Sequence, residues 1–260
     1  MKEITAYKPG RFSWVDLATT DPAGAKTFYS GLFGWTTKDT PAGPDMVYTM
    51  FQLNGKDVCA CSQLMKEQAA MGIPTHWNCY ITVENVADST AAAEQLGATV
   101  VMPPFDVMGA GRMSVLQDPT GAFIQLWEPL THAGSAYAGE PGSMCWHELY
   151  TRDLDAAQAF YSKLLGWQMS KMEMGHGDYI IAADGPAQIA GMMAIMPEMG
   201  AMPPNWTVYF AVEDCEAACA KAEALGGKVF LPPMDVANVG RMAGISDPQG
   251  GGFMIIKLSM

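Results

Sequence analysis

Apolar residues recur along the chain in two periods, and segments of the two kinds follow one another in a fixed order. Between Asp21 and Trp35, DPAGAKTFYSGLFGW, the residues Ala25, Phe28, Tyr29, Leu32 and Phe33 fall at three- and four-residue spacing. That spacing places them on one face of a helix. Asp21 stands where an N-cap accepts free backbone N–H groups, and Gly34 where a helix can end through a left-handed residue. The same pattern returns 132 residues later as DLDAAQAFYSKLLGW, Asp153 to Trp167, with eight of fifteen positions identical. The second copy keeps the apolar face (Ala157, Phe160, Tyr161, Leu164, Leu165) and changes the exposed one, so the repeat is a packing unit.

Around these helices the period drops to two. Phe12 to Thr19 predicts a strand before the first helix, and Thr36 to Asp39, Met46 to Leu53 and Val58 to Leu64 predict three after it. Pro41, Gly43 and Pro44 punctuate the first turn, and Asn54-Gly55 marks a hairpin. Lys66 to Pro74 reads as a connector. From His76 the order starts again: strand WNCYITV, an Ala-rich helix from Asp88 to Leu96 closed by Gly97, then strands at 99–102, 112–117 and 123–127, the last two joined by the turn Asp118-Pro119-Thr120-Gly121. One half thus holds two β-α-β-β-β modules. The second half answers in register: CWHELY at Cys145, a strand entered at Asn205, a helix from Cys215 to Leu225, and PPMDVANVGRMAGISDPQGGGFMII against PPFDVMGAGRMSVLQDPTGAFIQL. Residues 131–143, THAGSAYAGEPGS, are small and polar and read as a linker. The expected division is 1–130, linker 131–143, and 144–260.

Composition narrows the partners. A net charge of −12 without basic clusters argues against nucleic acid or an anionic membrane surface. No apolar run is long enough to span a membrane, and MKEITAYKPG lacks the layout of a secretory signal, so a cytoplasmic location is expected. The six cysteines contain no C-x-x-C pair and read as buried thiols. Twenty-one methionines fit either a core with irregular gaps or an apolar ligand cavity.

The helix D-x-x-x-A-x-x-F-Y-x-x-L-x-G-W, the His- or Asn-Trp strand entry at 76 and 205, and the G-R-M…D-P-x-G hairpin together resemble the vicinal oxygen chelate superfamily. That group includes glyoxalase I, bleomycin and fosfomycin resistance proteins and extradiol dioxygenases, and tandem glyoxalase-like proteins look most similar. The resemblance implies an α+β fold of two glyoxalase-like domains, each of paired βαβββ modules forming a curled sheet around a cup. It also implies where a metalloenzyme would place its ligands: Trp14, Ala60, Asn78 and Gln125 in the first half, Trp146, Gly191, Thr207 and Met254 in the second. Indole, methyl and hydrogen side chains supply no lone pair to a divalent cation. No metal site and no cofactor are therefore expected.

The expected function is the binding of a small aromatic or cationic molecule in the cups, as bleomycin-resistance-like proteins do. The alternative is a metal-dependent lyase or extradiol-type dioxygenase, which would need a divalent metal. Candidate substrate-binding residues are Trp14, Asp16, Asn78, Tyr80, Gln125, Trp127, Trp146, Glu148, Thr207 and Tyr209, with Phe123 and Met254 as further wall. Asp16 and Glu148 hold the same repeat position beside an indole; a salt bridge to Arg112 or Arg241, exposure at a cup mouth, or a functional role in binding a ligand amine or moving a proton would each account for them. Arg112 and Arg241 are expected to tie to Asp118 and Asp247 across their hairpins. His76 reads as a hydrogen-bonding turn residue and His147 as a core or interface histidine; His132 and His176 carry no assigned role. The partner is a small-molecule ligand, and likeness to the superfamily admits a homodimer.

Overall fold

A computed structural model describes residues 1–43, 46–174 and 177–259. Pro44 and His176 lie outside the described residues. The first half runs β1 (Phe12–Thr19), α1 (Pro22–Phe33), β2 (Thr36–Gly43), β3 (Met46–Leu53), β4 (Lys56–Gln63), α2 (Lys66–Ala70), β5 (His76–Thr82), α3 (Val86–Gln95), β6 (Thr99–Val107), β7 (Gly111–Gln117) and β8 (Phe123–Pro129). The second runs β9 (Met144–Thr151), α4 (Leu154–Leu165), β10 (Gln168–Met174), β11 (Gly177–Asp184), β12 (Ala187–Ala194), a 3₁₀ turn at Pro197–Met199, β13 (Asn205–Ala211), α5 (Cys215–Ala224), β14 (Lys228–Val236), β15 (Gly240–Ser246) and β16 (Gly252–Leu258).

The helices form where the pattern places them, for the expected local reasons. Asp21 accepts from the Gly24 amide and Asp153 from the Ala156 amide, and Gly34 and Gly166 close the helices at φ 74° and 71°. The edge strands differ from the sequence expectation. β2 runs on through Pro41 and β6 through Pro103 and Pro104, and both lie at the outer edge of the sheet. A missing N–H costs nothing on the unpaired side of an edge strand. The connector at 66–74 contains the short helix α2.

Each half builds one eight-stranded sheet, in the orders β2-β3-β4-β1-β5-β8-β7-β6 and β10-β11-β12-β9-β13-β16-β15-β14. The two modules of a half meet through their first strands, antiparallel, with Asp16 opposite Asn78 and Glu148 opposite Thr207. Each sheet curls into a half-barrel with a concave cup and a convex outer face.

The convex faces and helices of the two halves share one core. The Tyr29 hydroxyl donates to Asp247 (2.9 Å) and that of Tyr161 to Asp118 (2.8 Å), each reaching into the other half. Trp77 and Trp206 donate to the same two hydroxyls, and Phe12 stacks on His147 at 3.9 Å. The expected arginine ties to Asp118 and Asp247 are therefore absent. Asp118 and Asp247 are buried, whereas Arg112 and Arg241 remain partly exposed and pair with Asp106 and Glu128, and with Glu216 and Asp235. A hydrated guanidinium stays at the surface when a buried phenol can take the inward carboxylate.

Residues 131–143 are laid down along both halves. Ser135 and Ala136 donate backbone bonds to Ser13 and Asp57, and Gly142 to Ala211. All six cysteines are free, and Cys145 alone among them is partly exposed. No helix among the described residues is long and apolar enough to cross a membrane.

Candidate functional site

In the first cup, β1 and β5 lie side by side at the centre of the sheet. Alternation sends Trp14 and Asp16 inward from one and Asn78 and Tyr80 inward from the other. Both faces of β1 are covered, and all eight of its residues are buried. Asp16, 5 % exposed, ends in a closed set of donors. Asn78 Nδ2 donates to Oδ1 at 2.8 Å, and the Tyr48 and Tyr80 hydroxyls both donate to Oδ2 at 2.8 Å. Behind them Trp14 Nε1 donates to Tyr48 (2.9 Å) and Gln125 Nε2 to Asn78 Oδ1 (2.9 Å). Burial pushes the Asp16 carboxyl above the usual range, and the three hydrogen bonds pull against it. Burial and the Asp16 charge likewise raise the Tyr48 and Tyr80 phenols.

The second cup repeats the arrangement with one methylene more. Glu148 accepts from Tyr179 on Oε2 (2.6 Å) and from Tyr209 on Oε1 (2.9 Å), and Trp146 Nε1 donates to Tyr179 (3.1 Å). Tyr150, two residues along the same face of β9, has its phenol raised by burial and by the Glu148 charge beside it. Burial followed by the same charge raises Tyr179 and Tyr209.

Neither carboxylate forms a salt bridge with Arg112 or Arg241, one of the alternatives the sequence left open: phenols, and on Asp16 the Asn78 amide, supply the donors. The candidate residues fall on the inward faces of the two cups; Thr207 lies opposite Glu148 but its hydroxyl donates to Asn205 Oδ1 at 2.7 Å rather than to the acid. Phe123 is 49 % exposed and contributes rim rather than wall. Tyr48 and Tyr179, missed in the sequence, are the partners that organise each acid; aligning the third strands, MVYTM against GDYII, would have paired them. His76 and Asn205 turn out equivalent, bonding the carbonyls of Pro74 and Pro203.

The cups differ at one end. In the first, Trp127 packs against Gly111, donates to the His132 carbonyl (3.0 Å), and the His132 ring meets Trp14 edge-on at 4.4 Å. Trp14 is buried there. In the second, Ile256 replaces Trp127, and Trp146 is partly exposed beside Leu231, Met242 and Met254. Gly191 leaves the space that the Tyr179 hydroxyl occupies; a methyl there would collide with it.

The donor set does not fit a metal. The inward positions expected to carry ligands hold Trp14, Ala60, Asn78 and Gln125, and Trp146, Gly191, Thr207 and Met254. Among the described residues no group of three or more His, Cys, Asp or Glu side chains comes together.

Two curled sheets of paired βαβββ modules, each with an acid at the centre of its cup, define a tandem vicinal oxygen chelate protein. The chain belongs to the glyoxalase/bleomycin resistance protein/dioxygenase superfamily, whose model matches residues 11–126 and again 127–255. It is 43% identical over 259 residues to "Putative glyoxylase CFP32" of Mycobacterium tuberculosis, covering 99% of this chain and 98% of that one. It is 35% identical over 268 residues to the anthracycline biosynthesis protein DnrV of Streptomyces peucetius, covering 98% and 96%. In fold it is similar to the Mn(II)-bound glyoxalase of Novosphingobium aromaticivorans (TM-score 0.66, 14% identity, 97% of this chain and 85% of that one). It is similar also to an extradiol ring-cleaving dioxygenase of B. fuscum (TM-score 0.68, 16% identity, 100% and 75%).

Proposed function

We propose that the protein binds a planar aromatic molecule in its cups and does so without a metal ion. The observation that carries this reading is the pair of carboxylates held by phenols, two on each acid, with the Asn78 amide also on Asp16. Asp16 and Glu148 hold Tyr48, Tyr80, Tyr179 and Tyr209 in place, so the cups are built from aromatic rings and phenols where the metalloenzymes of the fold require imidazole and carboxylate. A phenol whose proton is committed to a carboxylate presents an acceptor oxygen to a ligand hydroxyl or N–H. A cationic ligand fits less well, because it would have to displace those phenols from the acid. The relative named for anthracycline biosynthesis adds weight to a polycyclic aromatic ligand.

The test combines metal content with binding. The protein is incubated with nickel, zinc, manganese or ferrous iron, desalted and assayed by elemental analysis. It is then titrated with 1,4-dihydroxyanthraquinone while the fluorescence of its seven tryptophans, Trp14 and Trp146 among them, is followed. Saturable quenching that a chelator leaves unchanged, with metal well below one per chain, is the expected result. Near-stoichiometric metal, with quenching abolished by chelator, would overturn the reading in favour of glyoxalase or dioxygenase chemistry.

A further inference from the structure

The two cups are built from the same elements and are filled differently. In the first, the segment after β8 folds back over the cup. The Leu130 and His132 amides both donate to the Ala110 carbonyl at 3.0 Å, Thr131 Oγ1 donates to the Gly109 carbonyl at 2.9 Å, and Trp127 Nε1 holds the His132 carbonyl at 3.0 Å. These bonds set the His132 ring edge-on to Trp14 at 4.4 Å and 6.0 Å from Trp127, with Nε2 buried and without a hydrogen-bond partner. Burial pulls the imidazole below its usual pKa, against the charge of Asp57, so near pH 7 a neutral planar ring covers the indole. Trp14 is 3 % exposed.

In the second cup Ile256 stands in place of Trp127 and has no side-chain N–H to hold such a segment. Among the described residues no aromatic ring meets Trp146 as His132 meets Trp14. The Trp146 indole is partly exposed, and so are Tyr150, Leu231 and Met242. Tyr150 stands where the first half has Ala18, and Met254 where it has Gln125, so the second cup gains a phenol and an adaptable apolar wall.

We propose that the second cup alone takes up the ligand, one planar aromatic molecule per chain with a ring seated on Trp146, and that His132 fills the first cup in its place. This rests on the reading of the cups as sites for aromatic molecules and adds which cup is used. The surfaces assigned to the ligand are ones that water already reaches. The first cup shows what covers such an indole: a flat, uncharged ring.

Equilibrium dialysis of the full chain against 1,4-dihydroxyanthraquinone counts the sites, and one molecule per chain is expected. Met242→Glu puts a charge into the cluster that contains Trp146 and is expected to weaken binding by about tenfold or more. Met113→Glu, the equivalent change in the first cup, is expected to alter affinity by less than about twofold. Both methionines are partly exposed, and thermal melting by circular dichroism checks that both variants fold. His132→Ala keeps the backbone bonds of its segment, uncovers Trp14, and is expected to raise the count to two; should Met242→Glu fail to fold, this count and the parent's decide the matter. Two molecules per parent chain, weakening by Met113→Glu rather than Met242→Glu, or a count that stays at one in His132→Ala would each overturn the assignment while leaving aromatic binding intact. No saturable binding by the parent would overturn the reading of the cups itself, and the assignment with it.

Discussion

At the scale of single residues, both cups are organised by an acid that the protein satisfies internally. Asp16→Ala would leave the Tyr48 and Tyr80 hydroxyls and the Asn78 amide buried without their acceptor, and is expected to cost about 3 kcal/mol in urea unfolding. A loss under about 1 kcal/mol would show that water reaches these donors and replaces the carboxylate. His147 sets a pH dependence of known sign. Its folded pKa lies near 3 and its unfolded value near 6.5, so the unfolded chain binds the extra proton between the two. The stability tied to the neutral ring is complete above about 6.5 and is lost as pH falls toward 3. At pH 5 the loss is roughly 2 kcal/mol, and His147→Phe should lose that much less than the parent between pH 7 and pH 5. Asp16 and Asp247, both raised by burial, act in the opposite sense: their contribution is complete below the ordinary carboxylate range and falls as pH rises through it. The comparison between variant and parent isolates the histidine.

At the scale of elements, neighbouring strands fit one another through their smallest residues. β12 passes beneath Tyr179 only because Gly191 has no side chain, whereas the matching position in β4 is Ala60. Gly191→Ala is expected to drive Tyr179 off Glu148, costing about 1–3 kcal/mol and increasing the exposure of Trp146, which also binds that hydroxyl. A melting temperature and an emission maximum equal to the parent's would show that the strand yields instead. The helices were legible from their spacing and caps, because those signals are local. The lengths of β2 and β6 were not, because Pro41, Pro103 and Pro104 stop a strand in the interior of a sheet but not at its edge, and edge position is a property of the assembled sheet.

At the scale of the whole molecule, two buried Tyr–Asp bonds cross between the halves, and the core they sit in is continuous. Unfolding is therefore expected to be one transition, with calorimetric and van't Hoff enthalpies equal. Tyr29→Phe combined with Tyr161→Phe leaves Asp118 and Asp247 each short of a donor, and should lower stability by about 2–5 kcal/mol while preserving that single transition. Two resolved transitions in the parent would show that the halves are independent.

The sequence by itself determined the duplication, the order of elements in each module and the inward set Trp14, Asp16, Tyr80, Trp146, Glu148 and Tyr209, since periodicity and repeat register are carried by near neighbours. It pointed also to His76 as a turn residue and His147 as a core or interface one. Tertiary structure alone decided what each charge meets. Asp118 and Asp247 take phenols from the opposite half, Arg112 and Arg241 stay at the surface, and Tyr48 and Tyr179 reach the central acids from a different strand. The phenol–carboxylate pairings join residues from 31 to 218 positions apart, and which donor reaches a buried carboxylate depends on which surfaces the fold removes from water.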